Sequence, residues 1–211
     1  MKYDLYEYET KLTAAGYSHI AGTDEVGRGP MAGPLVAAAV VLPAGYRLAG
    51  LNDSKLLSPK LRDRFYDILI RDAIEYHVAF IEVAEVDRIN VYAASKLAMT
   101  KCIQDFRIPV DFILTDAMKL EVGIEFLDLI HGDQRSASIA AASVIAKVTR
   151  DRFMVEMDAV YPEYGFKKHK GYVTKFHCEM LAKYGPCPLH RRSFAPVANY
   201  LAGIRNLSHQ R

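Results

Sequence analysis

One stretch constrains this chain more than any other. LVAAAVVL, Leu35 to Leu42, is eight apolar residues without interruption. It is far short of the roughly 20 that a membrane-spanning helix needs. Continuous and rich in valine, it reads as a buried strand. Further strands are predicted at His19–Thr23, ending at Asp24, at Tyr76–Val83, and at Val110–Thr115, ending at Asp116. Helices are predicted at Tyr3–Ala15, Lys60–Ala73, Glu85–Phe106, Ser138–Val160 and Tyr172–Tyr184. Ser58 and Pro59 are a cap and first-turn pair for the second of these. Asn90 breaks the third, and Gly185-Pro186 closes the last. Together they predict an α/β domain whose sheet is covered by helices. The chain has 211 residues, no repeat and no Gly, Ser or Pro-rich linker, so a single domain is expected.

Composition narrows the class. At 51% hydrophobic and 25% charged residues, neither disorder nor a fibrous repeat is possible. The opening MKYDLYEYETKL has no apolar core of a signal peptide. Three cysteines cannot all pair within the chain, which points to a reducing cytosol. Net charge is only +2, but it is polarised. Between Gly165 and Arg192, five lysines and two arginines face Glu179 alone, so this stretch carries +6 and the remainder −4. Phe166, Tyr172, Phe176 and Tyr184 interleave with Lys167, Lys168, Lys170 and Lys175. Basic charge among flat rings is a footprint for nucleic acid, although a solvated helix face has the same composition.

The acids lie where chemistry is usually placed. Asp24 and Glu25 end one apolar strand and Asp116 ends another. Carboxylates held together repel each other unless a cation sits among them. Mg²⁺ is suited to such a place, taking one or two carboxylates and the oxygens of a phosphate substrate. Neighbours on a strand point to opposite faces. Asp24 and Glu25 therefore serve one site only if the strand ends between them, or if Glu25 acts through its backbone.

Other chemistries find no support. Gly27-Arg-Gly-Pro-Met-Ala-Gly33 imitates a dinucleotide fingerprint, but its third glycine is one residue late and a strand follows instead of a helix. There is no phosphate-binding GxxxxGK[ST] and no GxSxG. His177, Cys178, Cys187 and His190 lack the C-x₂-C spacing of a zinc site.

The motifs taken together carry more than any one. GTDEVGRGPMAGPLVAAAVVL, LNDSKLLSPK, the strand ending LTDA, GDQRSASIAAASVIAKVTRDR, YPEYGFKKHKGYVTKFH and HRRSF follow one another between residues 19 and 197. In content and order they resemble bacterial ribonuclease HII. The resemblance implies an RNase H-like fold, a central mixed sheet flanked by helices, with a helical C-terminal part from about residue 160 and residues 1–18 as an N-terminal extension. It implies a cytoplasmic, monomeric endoribonuclease dependent on Mg²⁺ or Mn²⁺. Its substrates would be RNA–DNA hybrids and duplex DNA containing single ribonucleotides, cut to a 5′-phosphate and a 3′-hydroxyl, as in ribonucleotide excision repair.

Matched motif by motif, Asp24, Glu25 and Asp116 become metal-binding catalytic acids. Asp151 of KVTRDR is taken as the fourth, ahead of Asp133 of HGDQR. Gly27, Arg28 and Gly29 resemble the loop that reads the 2′-hydroxyl. Tyr172 resembles the tyrosine that stacks on the adjoining sugar, while Lys55, Arg191 and Arg192 would hold phosphates. Ala117 stands where family members often have glycine or a polar residue. Two rivals remain: a nuclease of the same fold that prefers long hybrids, and a nucleic-acid binding module without catalysis.

Overall fold

The computed structural model describes residues 4–204. Tyr3 of the predicted first helix and residues 205–211 of the C-terminal part lie outside them. The described chain forms helices α1 (Glu7–Ala14), α2 (Pro59–Asp72), α3 (Val83–Gln104), α4 (Ala137–Val160), α5 (Phe166–His169), α6 (Lys175–Tyr184) and α7 (Ala195–Leu201). Its strands are β1 (Ile20–Val26), β2 (Leu35–Val41), β3 (Glu75–Ile81), β4 (Phe112–Asp116) and β5 (Phe126–Leu129). The chain divides into two compact units, each built from three separate stretches. Of the described residues, 4–26, 36–80 and 95–148 form the first, and 27–35, 81–94 and 149–204 the second. The repeated exchange of chain between units explains why no linker-like composition marks the division.

The first unit holds the sheet, in the order β3-β2-β1-β4-β5. β1 runs antiparallel to β2 and parallel to β4, and β4 is parallel to β5, so the sheet is mixed. The unbroken apolar run of β2 has a simple cause. Ala38, Val40 and Leu42 pack against α2 and the first half of α4, with Phe65, Leu69, Ala141 and Ile145. Ala37, Ala39 and Val41 are also fully buried, and the Cys102 thiol of α3 meets the Ala37 carbonyl at 3.5 Å. Both faces are covered, so no position of β2 is free to be polar.

Local chemistry sets the helix ends. The Ser58 hydroxyl accepts from the Leu61 amide, and Pro59 occupies the first turn of α2. α3 is interrupted where the sequence predicts: Asn90 takes φ 70°, and its Oδ1 accepts from the Tyr92 and Ala93 amides at 2.9 and 3.1 Å. The asparagine side chain caps the segment that follows. Glu9 of α1 accepts from the Ser136 hydroxyl and the Ser138 amide, which ties the N-terminal extension to the start of α4.

The second unit is helical around the loop Gly27–Leu35. Met31 packs with Cys178, Leu181 and Val197, and Ala32 with Met154, Tyr164 and Phe166. Two differences from the sequence reading stand out. α6 begins at Lys175, capped by Thr174, so Tyr172 lies in the irregular segment before the helix and does not open it. The four-residue β5 was not anticipated, because its pattern of one buried residue in FLDL carries no strand signal.

Candidate active site

The parallel ladder between β1 and β4 pairs Ile20 with Phe112 through Thr23 with Thr115. Asp24 and Asp116 are the next residue on each strand. In-register residues of parallel strands share a face, and the strands lie about 4.8 Å apart. The two acids therefore come side by side where the ladder stops. β1 goes on pairing with β2 through Glu25 and Val26. The strand does not end between Asp24 and Glu25, so of the two routes by which Glu25 could join the site, the backbone one remains. The Glu25 amide already donates to Asp24 Oδ1 at 2.7 Å.

Asp24 is held beneath α4. A methyl group at Gly22 would lie 2.1 Å from the Ser138 carbonyl carbon, so only glycine lets that helix backbone settle on β1. Five helical residues rise about 7.5 Å and two strand residues about 6.7 Å. Ser143 thus comes over Asp24 and hydrogen-bonds it. The Ser54 hydroxyl stands 2.8 Å from that of Ser143 and completes the chain. Asp116 Oδ1 accepts from the Gly132 amide at 2.8 Å.

The fourth acid in this unit is Asp133, next to that amide and 3% exposed. Its charge acts on Asp24, and Asp116 acts on it. Asp133, ranked second to Asp151 in the sequence, therefore lies within electrostatic reach of Asp24 and Asp116. Asp151 belongs to the second unit, beside Arg150, whose charge it supports.

The electrostatics are those of a group of anions short of a cation. Burial, then Glu25, Asp116 and Asp133, push the Asp24 carboxyl well above the usual carboxylate range, against the hydrogen bond from Ser143. Asp24 is only 5% exposed. Burial, then Asp53 and Asp116, push Asp133 up to about 6. Lys55 Nζ lies 3.4 Å from Asp133. Burial opposes the Lys55 charge, but Asp53, Asp133 and Asp24 outweigh it and raise the amine above its ordinary range. Asp53, buried and bonded to the Lys55 amide at 2.9 Å, is a member of the group that the sequence reading missed. Its place in LNDSKLL was the available signal. An all-oxygen, mutually repelling donor set suits a hard divalent ion. Among the described residues no three acidic, His or Cys side chains form a ready-made cage.

In the second unit, Gly27 has φ +103°, and a methyl group there would lie 2.7 Å from Arg150 Nε. Arg150 is fully buried and donates to the carbonyls of Ala32, Pro34 and Lys170 at 2.9–3.0 Å. Arg191 is 0% exposed and donates twice to the Gly33 carbonyl, at 2.8 and 2.9 Å. This overturns its expected role: the Arg191 guanidinium is spent on backbone carbonyls inside the unit and holds no phosphate. The two arginines staple the loop from Arg28 to Pro34. Gly29 is exposed, and a methyl group there would lie 3.6 Å from Tyr172 Cε1. The Tyr172 ring, 42% exposed, therefore lies alongside the GRG loop. Arg28 and Arg192 are exposed, and the Arg192 amide is anchored to Asp87.

The family model for ribonuclease HII matches residues 21–197. This chain belongs to the ribonuclease HII family. It is 53% identical over 193 residues to a ribonuclease HII of Bacillus licheniformis, covering 92% of this chain and 76% of that protein. Among solved structures, ribonuclease H2 from Pyrococcus horikoshii superposes with a TM-score of 0.77 at 26% identity, covering 89% of this chain and 99% of its own. Bst-RNase HIII, described in complex with Mn²⁺, superposes at 0.64 over 90% of this chain with 18% identity. The RNase H-like fold and a ribonuclease H enzyme follow for this ribonuclease HII family member. Among the described residues no helix is long and apolar enough to cross a membrane.

Proposed function

We propose that this enzyme cuts the RNA strand of RNA–DNA hybrids and incises duplex DNA on the 5′ side of a lone ribonucleotide, in the service of ribonucleotide removal. The observation that carries the finer part is the Tyr172 ring lying alongside Gly29. The 2′-hydroxyl is what separates RNA from DNA. A backbone loop whose exposed Gly29 carries no side chain can approach that hydroxyl closely, while the ring beside it offers a face to the next sugar.

Asp24, Asp116 and Asp133 through their carboxylates, and Glu25 through its backbone, are the residues that would hold Mg²⁺ or Mn²⁺, with Asp151 outside the set. When bound, a pair of such ions supplies charge to the scissile phosphate and lowers the pKa of water. The protein's part is orientation. Ser143 and the Glu25 amide hold Asp24, the Gly132 amide holds Asp116, and Lys55 offsets the anionic group. Water adds to phosphorus and the P–O3′ bond breaks. The departing oxygen takes a proton, leaving a 3′-hydroxyl and a 5′-phosphate on the ribonucleotide. No protein nucleophile is required. Consistently, burial pushes the thiols of Cys102 and Cys187 up to about 12 and about 11.

The test is a labelled duplex containing one ribonucleotide, incubated with Mg²⁺ or Mn²⁺ and again with EDTA. Metal-dependent incision 5′ of the ribonucleotide is the expected result. Cleavage confined to long hybrids would mean the long-hybrid rival, and binding without turnover the non-catalytic one.

Substrate affinity should fall with salt, because Lys167, Lys168, Lys170 and Arg192 are proposed to lie along phosphates. Each phosphate neutralised contributes about −0.9 to the slope of log affinity against log salt. Replacing Lys168 and Lys170 by alanine should flatten the slope by up to about two. A slope near zero in the parent enzyme would show that the basic stretch only faces solvent.

A further inference from the structure

Three buried or half-buried histidines in the second unit take no part in the chemistry described above, yet they converge on the backbone of Tyr172. His177 is 0% exposed, and its Nδ1 lies 2.9 Å from the Tyr172 carbonyl oxygen. A carbonyl only accepts, so Nδ1 carries the hydrogen. In a neutral ring the other nitrogen, Nε2, is then bare and accepts. It lies 3.1 Å from His190 Nε2, which must carry the hydrogen of that bond. His190 Nδ1 is bare in turn and accepts from the Cys187 amide at 3.0 Å. Every ring nitrogen of the pair is satisfied, with one hydrogen each and one direction of donation, from Cys187 through His190 and His177 to Tyr172.

Neutrality of both rings is supported independently. Burial drives His177 down to about 3 and His190 down to about 4. His169 completes the arrangement. Its ring stacks on His177 at 4.2 Å, its Nε2 donates to the Tyr164 carbonyl, and its Nδ1 accepts from the Gly171 amide. The Tyr172 amide donates to the His169 carbonyl at 2.9 Å. Tyr172 is thus pinned through the peptide groups on both of its sides, while its ring remains substantially exposed.

We propose that His177, backed by His190, is a positioning residue that aims the Tyr172 ring at the sugar next to the ribonucleotide. This rests on the reading of Tyr172 as the stacking residue. Selectivity for a lone ribonucleotide is then governed in part by an imidazole that touches neither substrate nor metal.

Leucine and asparagine have nearly the same shape, but only the asparagine amide nitrogen can donate where Nδ1 does. His177→Leu should lower kcat/KM for the single-ribonucleotide duplex by about tenfold relative to a long hybrid, since small misplacements of a positioned group cost of that order or more. His177→Asn should recover most of the ratio. In a Tyr172→Ala background His177→Leu should add nothing further, because the ring it aims is gone. A folded His177→Leu enzyme with the parent ratio, an equal loss in His177→Asn, or an undiminished loss in the Tyr172→Ala background would each overturn the proposal. If Tyr172→Ala itself leaves the ratio unchanged, the reading beneath it falls instead. Should His177→Leu fail to fold, ¹⁵N NMR of the parent protein decides. His177 protonated only on Nδ1 at pH 7 supports the chain, and the opposite tautomer or a cation refutes it.

Discussion

Asp24→Asn is expected to reduce cleavage below about a hundredth of the parent rate and, in EDTA, to raise the melting temperature. Losing a partner outside a metal's immediate ligands typically costs about 10–100-fold, so a larger loss marks a ligand. The stability gain has a separate origin. Asp24 is 5% exposed, and Glu25, Asp116 and Asp133 raise its carboxyl above the unfolded value of 3.8. Between those two values the folded state binds the proton that the unfolded chain has released. Stability attributable to this residue is therefore present in acid and lost as pH rises through the folded pKa. Asparagine carries no charge at any pH and keeps an oxygen to accept from the Glu25 amide and Ser143. The gain should be small near pH 4, larger near pH 7, and cancelled when Mg²⁺ stabilises the parent enzyme. Thermal melts at both pH values, with EDTA and with Mg²⁺, check the expectation. A variant that melts below the parent at pH 7 in EDTA, or that still cuts at several per cent, would remove Asp24 from the role assigned to it.

Tyr172→Ala is expected to slow incision at a lone ribonucleotide by at least tenfold while leaving long-hybrid cleavage much less affected. Stacking on a flat ring is worth about 1–3 kcal/mol where it has been measured on bases, and about 1.4 kcal/mol is one decade. The ring lies before α6 and is 42% exposed, so its removal opens no buried cavity and the fold should persist. Tyr172→Phe should retain most of the activity, because the face survives and only the hydroxyl is lost. Circular dichroism and a melting curve establish folding, and rates on the two substrates establish selectivity. Equal loss on both would make Tyr172 a general binding residue, and junction recognition would pass to the Gly27–Gly29 loop.

What the sequence by itself determined is what depends on near neighbours in the chain. The apolar run at Leu35–Leu42 required a strand covered on both faces. Ser58-Pro59 set the start of α2, and Asn90 broke α3, because caps and φ preferences act over a few residues. Acids at the ends of the strands pointed to Asp24 and Asp116, and the ordered motifs identified the family. What only the tertiary structure decided is which side chain meets which. Asp133 and Asp151 are both aspartates in family-like motifs, but Asp133 belongs to the sheet unit, where its charge acts on Asp24, and Asp151 to the other. Arg191 and Arg192 are identical in type and adjacent, yet one is buried on the Gly33 carbonyl and the other is exposed. His177 and His190 looked like failed zinc ligands and proved to be a hydrogen-bonded pair behind Tyr172. The reason is common to all three cases. Whether a charge or a ring nitrogen faces phosphate, carbonyl or another side chain is settled by residues distant in sequence, and local pattern carries no record of them.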